Sequence, residues 1–100
     1  MLANQPIAQI HVGGNVVNLV GATYVGGRPA IRAVTADGEP YGMLTVNLLG
    51  EHLRPGEIHV KTWAENKSLR EPALDSGRFI DTGRRIPAGQ VYAELWRVVS

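Results

Sequence analysis

The sequence has no cysteine among its 100 residues. Disulfides, thiol catalysis and thiolate metal sites are therefore excluded together, and the composition suits a reducing cytoplasm. Aromatic residues make up only 6 %, with a single phenylalanine, so each large ring carries weight in any argument about core or interface. Neither sign of charge dominates: ten Lys and Arg stand against nine Asp and Glu, a formal net charge of +1. Such a balance provides no strong global field for nucleic acid or an anionic membrane, though a local patch is still open. No stretch approaches the ~18 apolar residues of a membrane-spanning helix. The opening stretch, MLANQPIAQIHVGG, has neither a basic segment nor a long apolar one, so no signal peptide is expected.

What is present reads as one globular domain, residues 1–100. Hydrophobic residues reach 44 % and charged residues 19 %, enough for a single core without staples. Glycine is the main punctuation. Ile7 to Val12 is a short β-rich run, followed by a turn at Gly13-Gly14-Asn15. Val16 to Val25 is a longer run closed by Gly26-Gly27, a pair suited to a tight hairpin. Pro29 to Ala36 comes next and ends at Asp37-Gly38-Glu39-Pro40, another hairpin signal.

Tyr41 to Leu49 gives the clearest alternation. Leu44, Val46 and Leu48 share one face, and Met43, Thr45 and Asn47 the other, as in a half-buried antiparallel strand. Glu57 to Trp63 also alternates, which places Ile58 and Val60 in the core and His59 and Trp63 on a polar face. The pattern then breaks. Asn66 or Ser68 can cap a helix, Ser68 and Glu71 have capping-box spacing, and Leu69, Ala73 and Leu74 form an apolar stripe. Gly77 supplies a left-handed stop. Pro72 inside this stretch predicts a short or imperfect helix. Arg78 to Asp81 is a short strand, Thr82 to Gly89 a connection, and Gly89 to Val99 the last strand. The sum is an α+β fold, an antiparallel meandering sheet with one short helix packed on it. A small barrel or a two-sheet sandwich is the alternative.

Phe79-Ile80-Asp81-Thr82-Gly83 matches the loop of an aspartic protease, two apolar residues ahead of Asp-Thr-Gly. That chemistry needs two carboxylates about 3 Å apart sharing one proton. Here Asp-Thr-Gly lies near the chain end, with 17 residues after it, and Arg84 and Arg85 follow directly. A cation beside Asp81 holds it ionised and denies it the acid role. The preferred reading is a turn, with Asp81 bonding the backbone two residues on and Gly83 at positive φ.

No other catalytic constellation is found. His11, His52 and His59 lack the spacing of a metal pair. His59 and Glu57 share a strand face and can build one zinc ligand pair, but two solvated residues on a polar face is the preferred reading. Ser68 reads as a cap, Ser76 as a helix-end residue and Ser100 as a terminus. Neither glycine pair sits in the strand–loop–helix setting of a phosphate loop. No cofactor or metal is expected.

Binding is the stronger expectation. Arg78, Arg84, Arg85 and Arg97 gather in the last quarter, and Trp63, Tyr92 and Trp96 are the large amphipathic rings. Tyr, Trp and Arg are the types enriched at binding hot spots. The residues expected to meet a partner are Trp63, Glu65, Asn66, Arg84, Arg85 and Trp96. The competing reading is that both tryptophans fill a hydrophobic layer under the helix. Nucleic acid is disfavoured because Glu51, Glu57, Glu65, Glu71, Asp75, Asp81 and Glu94 are spread through the same half.

Glu39-Pro40-Tyr41, Leu44 to Leu48, Gly56 to Lys61, Glu65-Asn66 and Asp81 to Arg84 form a pattern that resembles a small family of bacterial proteins found on conjugative elements and phages. Its members often lie near genes that counter host defence. The resemblance covers about the last two thirds of the chain and carries no activity and no site residues. It implies a context: a non-enzymatic, anti-CRISPR-like inhibitor that binds a protein of a bacterial defence complex. A small nucleic-acid-binding or oligomerising module, for instance a homodimer, is the alternative, and a metal hydrolase using His59 and Glu57 the enzymatic rival.

Overall fold

A computed structural model describes residues 6–99; Ser100 and the start of the N-terminal stretch, Met1 to Gln5, lie outside them. The element order is β1 (Ala8–Val12), β2 (Asn15–Thr23), β3 (Pro29–Thr35), β4 (Pro40–Met43), β5 (Glu57–Val60), a 3-10 turn (Ala64–Asn66), α1 (Lys67–Asp75), β6 (Phe79–Ala88) and β7 (Val91–Val98). The fold is α+β. The strands form two antiparallel sheets instead of one: β1-β2-β3-β4 and β5-β7-β6. The first is the expected meander. Its hairpins turn on Gly13-Gly14 and Gly26-Gly27, and all four glycines have positive φ, the conformation that favours glycine.

The division into two sheets comes from a break within Tyr41 to Leu49. The expected strand stops at Met43. Both Leu44 and Thr45 are buried, so alternation ends there. The segment then serves both sheets. The Leu44 N–H donates to the Ile31 carbonyl of β3, while the Leu44 carbonyl accepts the Lys61 N–H, and the Val46 N–H donates to the His59 carbonyl of β5. The Thr45 Oγ1 accepts the Ile31 N–H at 3.1 Å and meets the Tyr24 hydroxyl at 2.8 Å. The threonine hydroxyl thus stands in for a ladder carbonyl where the strand departs. A polar side chain that satisfies a buried backbone donor makes such a break tolerable.

At the opposite edges α1 packs against both β1 and β6. Leu69 and Ala73 are buried on its inner face, with Leu74 packed beside them. One core joins Ile10, Val17, Leu19 and Ile31 of the first sheet to Ile58, Val60, Phe79 and Trp96 of the second. Gly77 has the expected left-handed conformation after the helix. The expected caps do not form: α1 has no side-chain N-cap bond. A 3-10 turn starts the helical segment earlier, so Ser68 and Glu71 lie inside α1 and no capping box is made. Pro72 stands in the middle of α1.

Candidate functional site

The Asp-Thr-Gly segment is a bulge within β6, not a turn that ends it. Pairing with β7 runs to Asp81 opposite Trp96 and resumes at Arg85 opposite Glu94. All three residues satisfy the interrupted ladder. The Asp81 Oδ1 accepts the Gly83 N–H at 2.9 Å, and Gly83 has φ 88°, both as the sequence predicts. The Thr82 hydroxyl donates to the Leu95 carbonyl at 2.6 Å and accepts the Arg84 N–H. A bulge leaves its extra residues outside the ladder, and here side-chain bonds take up the freed backbone groups.

Asp81 also anchors an ion cluster beneath α1. Arg85 grips it through two bonds of 2.9 and 3.0 Å. Arg70 of α1 reaches Asp81 at 3.1 Å and binds both Glu94 oxygens at 3.0 Å through Nε. Its remaining nitrogen meets Glu71. The Trp96 Nε1–H donates to Glu94 at 2.9 Å. The bidentate Arg85, joined by the Gly83 N–H and the charge of Arg70, holds the Asp81 carboxyl below its ordinary pKa, so Asp81 is kept ionised. It is not an acid available for proton sharing.

The residues expected to bind a partner divide. Trp96 is fully buried in the core cluster that also holds Leu69 and Ala73 of α1, with Phe79 tilted against it at 5.6 Å between ring centroids. For Trp96 the packing reading is the right one. Asn66 is 1 % exposed, and its Nδ2 donates to the carbonyls of Met43 and Lys61. It pins the helix start to both sheets instead of capping the helix or facing a partner. Arg85 does not project freely, since Asp81 holds it. Arg84 is exposed on the bulge and Glu65 is exposed beside Lys61, with which it pairs at 2.8 Å. That hydrogen bond lowers the Glu65 pKa.

Trp63 is half-buried and lines an open groove of about 470 Å³. Val46, Leu48, Leu49 and Glu51 form one wall, and the end of β6 with the following glycine, Pro87 to Gly89, the other. Leu49 is 76 % exposed, a large apolar side chain open to a partner there. Ala64, next to Trp63, has φ 55° and is the one non-glycine residue with positive φ among those described. This strained bend turns the chain from β5 into the helix and sets the tryptophan at the groove. The groove brings Trp63 to the end of β6; Arg84 and Arg85 sit further back along that strand.

His59 is also corrected. It is 2 % exposed, not solvated, and neither ring nitrogen has a hydrogen-bond partner. Glu57 beside it accepts the Arg54 N–H instead of joining a ligand pair. Among the described residues no three His, Cys, Asp or Glu converge as metal ligands, and no helix is long and apolar enough to cross a membrane. The sequence reading missed the groove wall because its apolar residues were assigned to a buried strand face. It missed the ion cluster because Arg70 carries no motif; the only cue was Glu94 between apolar neighbours on the last strand.

A scan of family models, a search of curated proteins and a search of solved structures found no match to the chain.

Proposed function

We propose that the chain is a non-enzymatic binding protein that takes an apolar segment of a partner protein into the Trp63 groove. The observation that supports this is the groove itself: an open surface that combines a half-buried tryptophan with a largely exposed leucine. Aromatic anchors in such settings carry most of the energy of an interface. Meanwhile Arg70, Arg85, Asp81 and Glu94 are bound to one another, which spends on structure the groups that chemistry would need. Glu51 at the groove favours a segment with a basic residue beside its apolar anchor.

The resemblance to proteins of mobile elements narrows the partner to a component of a bacterial defence complex. The test is a pull-down from a host that carries CRISPR and restriction systems, paired with phage plating. Wild type is expected to retain one defence component and restore plating, and Trp63→Ala to lose both while its circular dichroism stays native. The reading fails if wild type neither restores plating nor retains a defence component, or if Trp63→Ala and Leu49→Asp behave as wild type does.

A further inference from the structure

His59 is the one histidine buried in the fold; His11 and His52 are exposed. A neutral imidazole carries one donor and one acceptor. Both ring nitrogens of His59 are enclosed without a partner. Buried polar groups are rarely left in this state, and each exception calls for a cause.

His59 lies on the strand that holds the segment walling the Trp63 groove. Its own backbone carbonyl accepts the Val46 N–H at 3.0 Å, where that segment runs beside β5. Further along, the Arg28 guanidinium donates to the carbonyls of Leu48 at 3.2 Å and Glu51 at 2.8 Å. The wall therefore hangs from two points, the His59 backbone and Arg28. The charged groups that act on the ring come from each side. Burial is the main factor that lowers its pKa, and Arg28 adds to it; Glu51 of the wall and Glu57 of β5 oppose this, and Arg84 of the β6 bulge reinforces it. Leu95 of β7, the cross-strand partner, contributes no charge.

A proton on this ring creates a cation beside Arg28 with no acceptor in place. Such a charge is relieved by reaching water or by moving Arg28 away. Movement of Arg28 breaks the bonds that hold Leu48 and Glu51, and exit of the ring strains the His59 backbone that holds Val46. We infer that His59 is an acid-sensitive latch under the wall of the Trp63 groove, whose protonation releases Leu48 to Glu51 and dismantles the groove. The inference rests, for its consequence on binding, on the groove being the docking site. The native pKa lies below the unfolded one, so the latch is closed at neutral pH. It opens as pH falls below ~6.5, the ordinary histidine value, through the lower native value.

The test is an NMR titration of the labelled chain without any partner, from pH 8 to 4.5. It follows the His59 ring, the Trp63 indole N–H and the amides of Leu48 to Glu51. The His59 ring is expected to titrate below the ordinary histidine value, and the Trp63 and wall signals to move with the same midpoint. In His59→Phe, or in His59→Gln should the first variant not fold, these signals are expected to stay flat over that range. The latch is refuted if His59 titrates while the wall is still, if it does not titrate at all, or if the wall moves equally in the variants. Because no partner is present, this outcome is separate from a failure of the docking test.

Discussion

Asn66 is the residue whose role changed most between sequence and structure. As a helix cap or contact residue it would sit at the surface. Instead its amide satisfies the carbonyls of Met43 and Lys61, one at the end of each sheet. Asn66→Ala leaves two carbonyls without their partner in a site that admits almost no water. A loss of about 2–3 kcal/mol in urea unfolding is expected, since each unsatisfied buried group costs about 1–3 kcal/mol. A change under 0.5 kcal/mol, roughly the scale of neutral surface substitutions, would show that water replaces the amide. Trp63 and Trp96 make the complementary point. The two share a residue type, yet one lies in the core and the other at a groove.

At the scale of elements, two irregular strands organise the molecule. In the first, Thr45 replaces a ladder carbonyl for the Ile31 N–H and meets the Tyr24 hydroxyl. Thr45→Val keeps the shape and removes both bonds, so a destabilisation of about 1–3 kcal/mol is expected in equilibrium unfolding. The second is the β6 bulge. Its Asp81 carboxyl has a native pKa below the ordinary value, chiefly through Arg85. The native state therefore binds that proton more weakly than the unfolded chain does. The resulting stability is complete above about pH 4, near the unfolded aspartate value, and is lost as pH falls through the lower native value. Urea unfolding of wild type is expected to weaken along this acid limb. Asp81→Asn should be less stable at pH 7 and show a shallower decline below pH 4. An equally steep decline in the variant would place the acid sensitivity elsewhere.

The whole molecule is held by one core, because α1 closes one side of the two sheets and Leu44 to Val46 closes the other. Its radius of gyration of 12.8 Å is that of a single compact body of this length, about 13 Å. Cooperative unfolding follows from a core shared by both sheets and the helix. Far-ultraviolet circular dichroism reports all strands, whereas tryptophan fluorescence reports Trp63 and Trp96, both in the second half of the chain. The two transitions are expected to coincide in urea; separate midpoints would mean that the sheets unfold independently.

The sequence by itself determined the local grammar: the glycine hairpins of the first sheet, the inward faces of Ile58 and Val60, the stripe on α1, and the Asp81–Gly83 bond. These depend on backbone angles and on neighbours a few residues away. Only the tertiary structure decided which second faces are covered. Trp96 is buried in a core it shares with α1 and with strands far earlier in the chain. His59 is buried next to a segment anchored by Arg28, some thirty residues earlier in the chain. Periodicity reports that a strand has two faces, and segments distant in sequence determine how many of them meet water.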